Sequence, residues 1–435
     1  MINLSTIPGK MKALLAVCLT GIVASLGITL YVYNFVRSTS KAVGTETVPS
    51  IVAAKRIRAT LADAHSNAMN AMVTKEKLGG GFWNLYRKDL NNLHSMLIDA
   101  SKNINYGDAE RIPLLTILSN ISAYEYTVGG AVSSESDISV DQFMEANRLM
   151  QQKILPASSA LGKVNLSKLD SVYSGYTEKI SGVSSFVLWS GVFLLAILAG
   201  TQIYMFKKTR RIFNMGLLAA SVVVLVSLVY SLNSLNNVKS SLYAAKQGAF
   251  ESLNSLWSAR AEAYNANALE SLYLLHHGTG IVQTADTINF NLAASRICSD
   301  KKAASNGTGF EGYLSDGGIE ADIKQNSSTA GDTLQQWIKY VDIDSEIRNL
   351  EYDSRHDEAI ALCVGNSTGQ SNYEFTKFDD SLEERININQ KEFEDSMSSA
   401  FKTLNIFPYI TAALMILAMG TCTLGLKVRI DEYKA

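Results

Sequence analysis

The sequence predicts an all-α membrane protein with four transmembrane helices and two extracytoplasmic helical-bundle domains in a tandem repeat. Three observations lead there. Of 435 residues 47% are apolar and only 18% are charged, a low charge fraction for a soluble protein and far too low for a disordered one. The apolar residues are clustered, with four windows (13–36, 180–206, 212–238 and 403–426) that hold no charged side chain. The basic residues flanking those windows all favour one topology.

Each window exceeds the ~20 apolar residues that a helix needs to cross ~30 Å of hydrocarbon. The first is read as an uncleaved anchor rather than a signal peptide, because its apolar run is long and no small-x-small cleavage site precedes Arg37. Lys10 and Lys12 precede the first span, Lys207, Lys208, Arg210 and Arg211 join the second to the third, and Lys427, Arg429 and Lys434 follow the fourth. Only Asp431 and Glu432 oppose them. Short Lys- and Arg-rich segments stay cytoplasmic. The expected order is a cytoplasmic N-terminus (1–12), a first span (13–36), an outer bundle (37–179), a second span (180–206) and a basic hinge (207–211). A third span (212–238), a second outer domain (239–402), a fourth span (403–426) and a cytoplasmic tail (427–435) complete it.

Both outer segments read as helical. Ile57, Leu61, Ala64, Ala68 and Met72 recur at steps of three and four, as do Phe143, Ala146, Met150, Ile154, Ala157, Leu161 and Val164, the spacing of one face of a helix. Gly79-Gly80-Gly81 and Tyr106-Gly107-Asp108 mark turns between helices. Pro156 should kink or restart its helix, since it has no backbone donor. In the second segment Trp257, Ala261, Tyr264, Ala268, Leu272 and Leu275 form a stripe ending at His277-Gly278. Residues 300–332 are rich in Gly, Ser, Asn and Lys without a sustained period, so a long irregular excursion is expected. Helix resumes over 333–362 and from 378 into the fourth span. The first segment has 16 basic and 14 acidic residues, the second 14 and 25. That acidic balance suits either a solvated face or a docking face for a basic partner.

Cys18 and Cys422 fall in spans and read as small apolar thiols. Cys298 and Cys363 flank the excursion. An oxidising exterior would allow them to pair, worth ~4 kcal/mol on the chain-entropy account, the alternative being two buried free thiols.

Catalytic motifs are missing: there is no glycine-rich phosphate loop, His-Glu-x-x-His, Cys-x-x-Cys or nucleophile elbow. No enzyme activity and no cofactor are expected. No metal site is expected either, because adjacent His276 and His277 would point to different faces and His356 reads as part of an exposed helical face. A net charge of −2 makes no case for nucleic acid. The spans lack the ionisable groups of an ion path. They carry small residues four apart instead (Gly21 and Ser25, Ala196 and Gly200, Gly216 and Ala220, Thr421 and Gly425), suited to close helix packing. What remains is a signal transducer or an envelope scaffold.

Three stretches carry a resemblance. Ala146-Asn147-Arg148-Leu149-Met150 with Ile154-Leu155-Pro156-Ala157, Trp257-Ser258-Ala259-Arg260 with Ala268-Leu269-Glu270-Ser271-Leu272, and Arg429-Ile430-Asp431-Glu432-Tyr433-Lys434 are similar to segments of the GlnX-like four-span membrane proteins of actinobacteria. Leu269 and His277 depart from that pattern, where an acidic residue and an arginine are usual. The resemblance implies relay of external aspartate and glutamate levels from a GlnH-like solute-binding lipoprotein outside to a PknG-like Ser/Thr kinase inside. Arg260 and Glu270 then become candidates for the outer contact. Lys207, Lys208, Arg210, Arg211, Arg429, Glu432 and Tyr433 become candidates for the cytoplasmic one, beside membrane lipid. A chemoreceptor-like protein binding a small ligand directly is the alternative, and either is compatible with a homo-oligomer.

Overall fold

The computed structural model describes residues 6–132, 140–209, 214–277, 279, 283–300, 304, 306–325 and 327–432. Among the described residues every regular element is helical. In chain order they are α1 (Ile7–Lys41), α2 (Val48–Val73), α3 (Gly81–Lys102), α4 (Asp108–Val132), α5 (Val140–Leu149), α6 (Leu155–Thr209) and α7 (Met215–Tyr243). There follow α8 (Glu251–Leu275), α9 (Thr284–Ile297), α10 (Tyr313–Asp316), α11 (Ile319–Lys324), α12 (Ser328–Tyr352), α13 (His356–Val364) and α14 (Ser371–Glu432). Three π-helical segments, Ala42–Thr47, Met150–Ile154 and Ala244–Phe250, interrupt the α-helical runs.

The chain divides into two compact units. One comprises Met1–Thr45, Asp170–Ala245 and Glu394–Ala435, the other Glu46–Leu169 and Lys246–Phe393. Two of the crossings between them fall inside π-helical segments, Ala42–Thr47 and Ala244–Phe250.

The first unit holds the apolar stretches of the four helices that are long and apolar enough to cross a membrane. Its helix starts are capped by side chains. Thr6 Oγ1 accepts from the Gly9 N–H (3.2 Å), and Asn214 Oδ1 accepts from those of Gly216 (3.1 Å) and Leu217 (3.3 Å), satisfying donors that have no partner within the helix. Inside, Met11, Cys18 and Ile22 of α1 meet Leu194 and Leu198 of α6, Leu217 and Val224 of α7, and Met415 and Cys422 of α14. Outward faces stay apolar, with Trp189 and Phe193 more than two-thirds exposed, as a lipid-facing surface requires. Of the small-residue pairs, those at Gly216 and Gly425 meet backbone to backbone, and Gly21 packs on Leu194, whereas Gly200 has open space around it. Cys18 Sγ lies 3.4 Å from Thr201 Oγ1 of α6.

In the second unit the turns fall where the sequence places them. Gly79 (φ 100°) precedes α3, and Gly107 (φ 62°) precedes α4, conformations that cost a residue with a Cβ ~1–2 kcal/mol. The Glu76 carboxylate caps α3, accepting from the backbone N–H of Gly81 (2.7 Å), Phe82 (2.9 Å) and Trp83 (3.3 Å). The restart at Pro156 takes the form of a π-helical segment that ends at Ile154, one residue before α6 begins.

Two expectations change. The segments read as separate outer bundles share one core, in which α2 packs most extensively against α8. The reason lies in composition: between Leu256 and Leu274 nearly every side chain of α8 is buried, including Ala259, Ala261, Ala263, Ala266 and Ala268. A helix apolar or small on all sides needs neighbours all round, and one segment does not supply them. The excursion is also shorter than expected. Among its described residues lie α10 and α11, anchored by buried Phe310, Leu314 and Ile319, and α12 already begins at Ser328.

Candidate functional site

A cleft of about 660 Å³ opens within the second unit, lined by α5, the π-helical Met150–Ile154, α8 and α9. Each helix contributes a stripe at helical spacing: Asp141, Met144, Glu145, Arg148 and Gln152; Glu262, Asn265, Leu269, Leu272 and His276; Asp286, Asn289, Leu292 and Arg296. The α5 stripe is the reverse side of the one that buries Phe143, Ala146 and Met150. Gln151 and Gln152 of the π segment also line the cleft, and such distortions often accompany functional sites.

The cleft has an apolar floor and charged walls. Leu269, Leu272 and His276 are buried, while Arg148 and Arg296 are exposed. Arg148 grips Glu145 through two hydrogen bonds, Nε to Oε2 and Nη2 to Oε1, both 2.6 Å. That contact lowers the Glu145 carboxyl pKa and raises that of the guanidinium. Buried Glu262 accepts from Arg296 Nη1 (2.7 Å) and from Arg58 Nη2 of α2 (2.9 Å). Gln151 Nε2 donates to Asn265 Oδ1 (2.8 Å). His276 Nδ1 lies 2.5 Å from Asp286 Oδ2, and its Nε2 lies 3.0 Å from Met144 Sδ. Behind this wall His65 bridges Tyr124 Oη and Asn147 Oδ1, both at 3.1 Å. Full burial lowers its pKa to about 4, against the contrary pull of the Asn147 hydrogen bond, so it is neutral at pH 7. Two guanidinium groups, several carboxylates and a row of carboxamides around an apolar floor can hold a small polar molecule with charges of both signs.

A polar seam runs along the α2–α8 contact. Lys55 Nζ donates to Ser258 Oγ (2.7 Å), Asn70 Nδ2 to Asn267 Oδ1 (3.2 Å), and Ser271 Oγ to Asn70 Oδ1 (2.5 Å), while Ser66 also meets Asn267. Arg260 and Glu270 belong to this interior. Arg260 Nε and Nη2 each donate to an Asp379 oxygen at 2.8 Å, Nη2 reaches Glu383 at 2.9 Å, and Tyr264 Oη donates to Asp379 (2.8 Å). Glu270 is fully buried and accepts from Ser371 Oγ (2.7 Å). Glu270 therefore presents no outer contact surface, whereas the Arg260 side chain stays partly exposed (16%).

Residues 39–174 match the model of one family. Its description is an actinobacterial sensor domain. The match supports a sensing role, and it includes the whole α5 and π-helical wall of the cleft but not α8 or α9. No curated protein and no solved structure matches the chain.

The expected disulfide is absent. Cys298 and Cys363 are free, buried thiols in different apolar clusters. Cys298 Sγ faces the Asp300 carbonyl (3.9 Å) and Cys363 Sγ lies 3.6 Å from Ser271 Oγ. Burial pushes the Cys298 thiol up to about 11 and raises Cys363 as well. Closing the loop between them is unnecessary, because Phe310, Leu314 and Ile319 already tie the intervening chain to the core.

Of the residues expected to meet a cytoplasmic partner, Lys207 and Lys208 are exposed in the last turn of α6. Arg429 Nη1 pairs with both oxygens of Glu432 at 2.9 Å, so these two first satisfy each other. Arg210, Arg211 and Tyr433 lie outside the described residues, as does Gly278. Arg296 and Glu262 do not stand out in the sequence, and His276 does so only as one of an adjacent histidine pair. The only signal for them is polar residues recurring every three or four positions on α8 and α9, which any solvated helix face also shows.

Proposed function

We propose that this protein is a membrane sensor whose helical bundle lies outside the cell and takes a small zwitterionic ligand of the amino-acid class into the cleft. It reports occupancy to the cytoplasm and catalyses no reaction itself. One observation carries this: Arg148 and Arg296 stand beside Glu145, Glu262 and the carboxamides of Gln151, Asn265 and Asn289 in one cleft, a donor set suited to a carboxylate and an ammonium together. The orientation draws on the basic flanks of the spans, nine Lys and Arg against Asp431 and Glu432.

The test is calorimetric titration of the full chain in lipid nanodiscs with glutamate, aspartate and glutamine. One ligand should bind per chain, and Arg148→Ala or Arg296→Ala should weaken binding by ~10-fold or more, the cost of losing a charge-assisted hydrogen bond. Absence of binding of all three amino acids to the unmodified chain would remove the direct-sensor reading.

The resemblance of residues 146–157, 257–272 and 429–434 favours a second reading. In it a GlnH-like solute-binding lipoprotein presents the amino acid, and a PknG-like Ser/Thr kinase is contacted through Lys207, Lys208, Arg210, Arg211, Arg429, Glu432 and Tyr433. Free amino acid then leaves the chain unaffected, and the loaded lipoprotein binds it. Adding that lipoprotein to the same titration separates the two readings.

A further inference from the structure

Three side chains, one from the end of α8 and two from the end of α12 and the turn after it, converge where these helices end. The last α8 residue is Leu275, with His276 as its C-cap, and the chain turns there so that His276 faces the cleft while His277 faces Glu351. The α12 terminus is closed by two backbone bonds, Ser354 N–H to Glu351 O (3.0 Å) and Arg355 N–H to Leu350 O (2.8 Å). This reverse turn requires a left-handed residue, and here it is Ser354 (φ 61°) rather than glycine. The turn starts α13 at His356 and sets His356 Nδ1 2.8 Å from Glu351 Oε2.

His277 Nδ1 meets the other Glu351 oxygen. The two imidazoles stack face to face, centroids 4.0 Å apart and planes 16° off parallel. The Glu351 side chain is 3% exposed, His356 27% and His277 47%. One ligand atom from each residue falls within 4.8 Å of the others.

We infer that His277, Glu351 and His356 form a binding site for a divalent metal ion of the imidazole-preferring class, with Zn²⁺ as the type. Two imidazole nitrogens and one carboxylate oxygen are a recurrent donor set for Zn²⁺, which binds nitrogen and oxygen at ~2.0–2.2 Å and leaves further positions open to water. Seating the ion requires the Glu351 carboxylate to move off the two Nδ1 atoms and one imidazole to rotate out of the stack, since ligand atoms on a tetrahedral ion lie ~3.3 Å apart and each nitrogen lone pair lies in its ring plane. The carbonyl ends of two 25-residue helices, α8 and α12, meet at this point, and helix C-termini favour a cation. Adjacent histidines do diverge, as the sequence suggests; the second imidazole and the carboxylate come from the α12–α13 turn instead. Bound there, the ion ties the end of α8 to that turn, next to His276 at the cleft.

The full chain in nanodiscs, stripped with a chelator, is titrated with Zn²⁺ against a competing chromophoric chelator. One equivalent per chain should bind, and Glu351→Gln and His356→Asn should each weaken it by more than ~10-fold. Co²⁺ added to the unmodified chain should show ligand-field bands of a nitrogen- and oxygen-bound ion without thiolate charge transfer, a readout that needs no variant. No stoichiometric ion on the unmodified chain, equal affinity in both variants, or thiolate bands that place the ion on cysteine would each overturn the site.

Discussion

Gly216 and Gly425 meet backbone to backbone: a Cβ on Gly216 would lie 2.4 Å from the Gly425 Cα. Asn214 reinforces the contact, its Nδ2 donating to the Gly425 carbonyl (2.8 Å) while its Oδ1 caps α7. No rotamer change relieves a clash with main-chain atoms, so Gly216→Ala must push α7 and α14 apart. The expected cost is ~1–3 kcal/mol, read as a lower thermal midpoint in detergent. Gly200→Ala, with open space around it, should leave the midpoint unchanged or slightly raised; equal losses in both variants would show that the close approach has no energetic role.

Burial is the main cause, and the neighbouring Asp344 charge the next, that pushes the Glu270 carboxyl from 4.5 up to about 8. The folded chain therefore holds a proton that the unfolded chain releases. Stability from this group is fully present below pH 4.5 and is lost as pH rises through about 8. Glu270→Gln, an isostere of the protonated acid, should raise the unfolding midpoint at pH 8 and shift it least near pH 5, with a difference of a few kcal/mol on the order expected from such a shift. A pH-independent effect would show that Glu270 titrates normally.

Asp379 accepts two hydrogen bonds from Arg260 and one from Tyr264. Asp379→Asn should destabilise the bundle by about 3 kcal/mol, because a mostly buried guanidinium is left undercompensated. Arg260→Met with Asp379→Leu removes both charges and should recover much of the loss. Denaturant titration of the two variants reads this directly, and a double variant no better than the single one would argue against the pairing as the source.

With Cys298 and Cys363 free and their thiols raised, both should alkylate slowly in the folded chain, since only the thiolate reacts quickly. Both should alkylate fully after unfolding without reductant, as measured by intact-mass spectrometry. A mass two units low with both sites unmodified would restore the disulfide.

The sequence by itself determined the helical class, the four spans and the turns at Gly79 and Gly107, because each depends on residues close together in the chain. Span length, helical period and the φ a turn requires are all local. One feature was legible at half strength: the stripe on α8 from Trp257 to Leu275 is there to be read, yet its alanines on the other faces were the sign that α8 is surrounded. The joining of the two segments into one core, the pairing of Arg260 with Asp379 and the cleft between α5, α8 and α9 were decided only by tertiary structure. Periodicity states which residues share a face and is silent about which face of another helix they meet. The same limit explains the cysteines and the histidines. Their places on either side of the excursion brought Cys298 and Cys363 under suspicion as a pair, and sequence separation kept His277 and His356 apart; packing reversed both, since distance in space is set by which apolar faces bury each other.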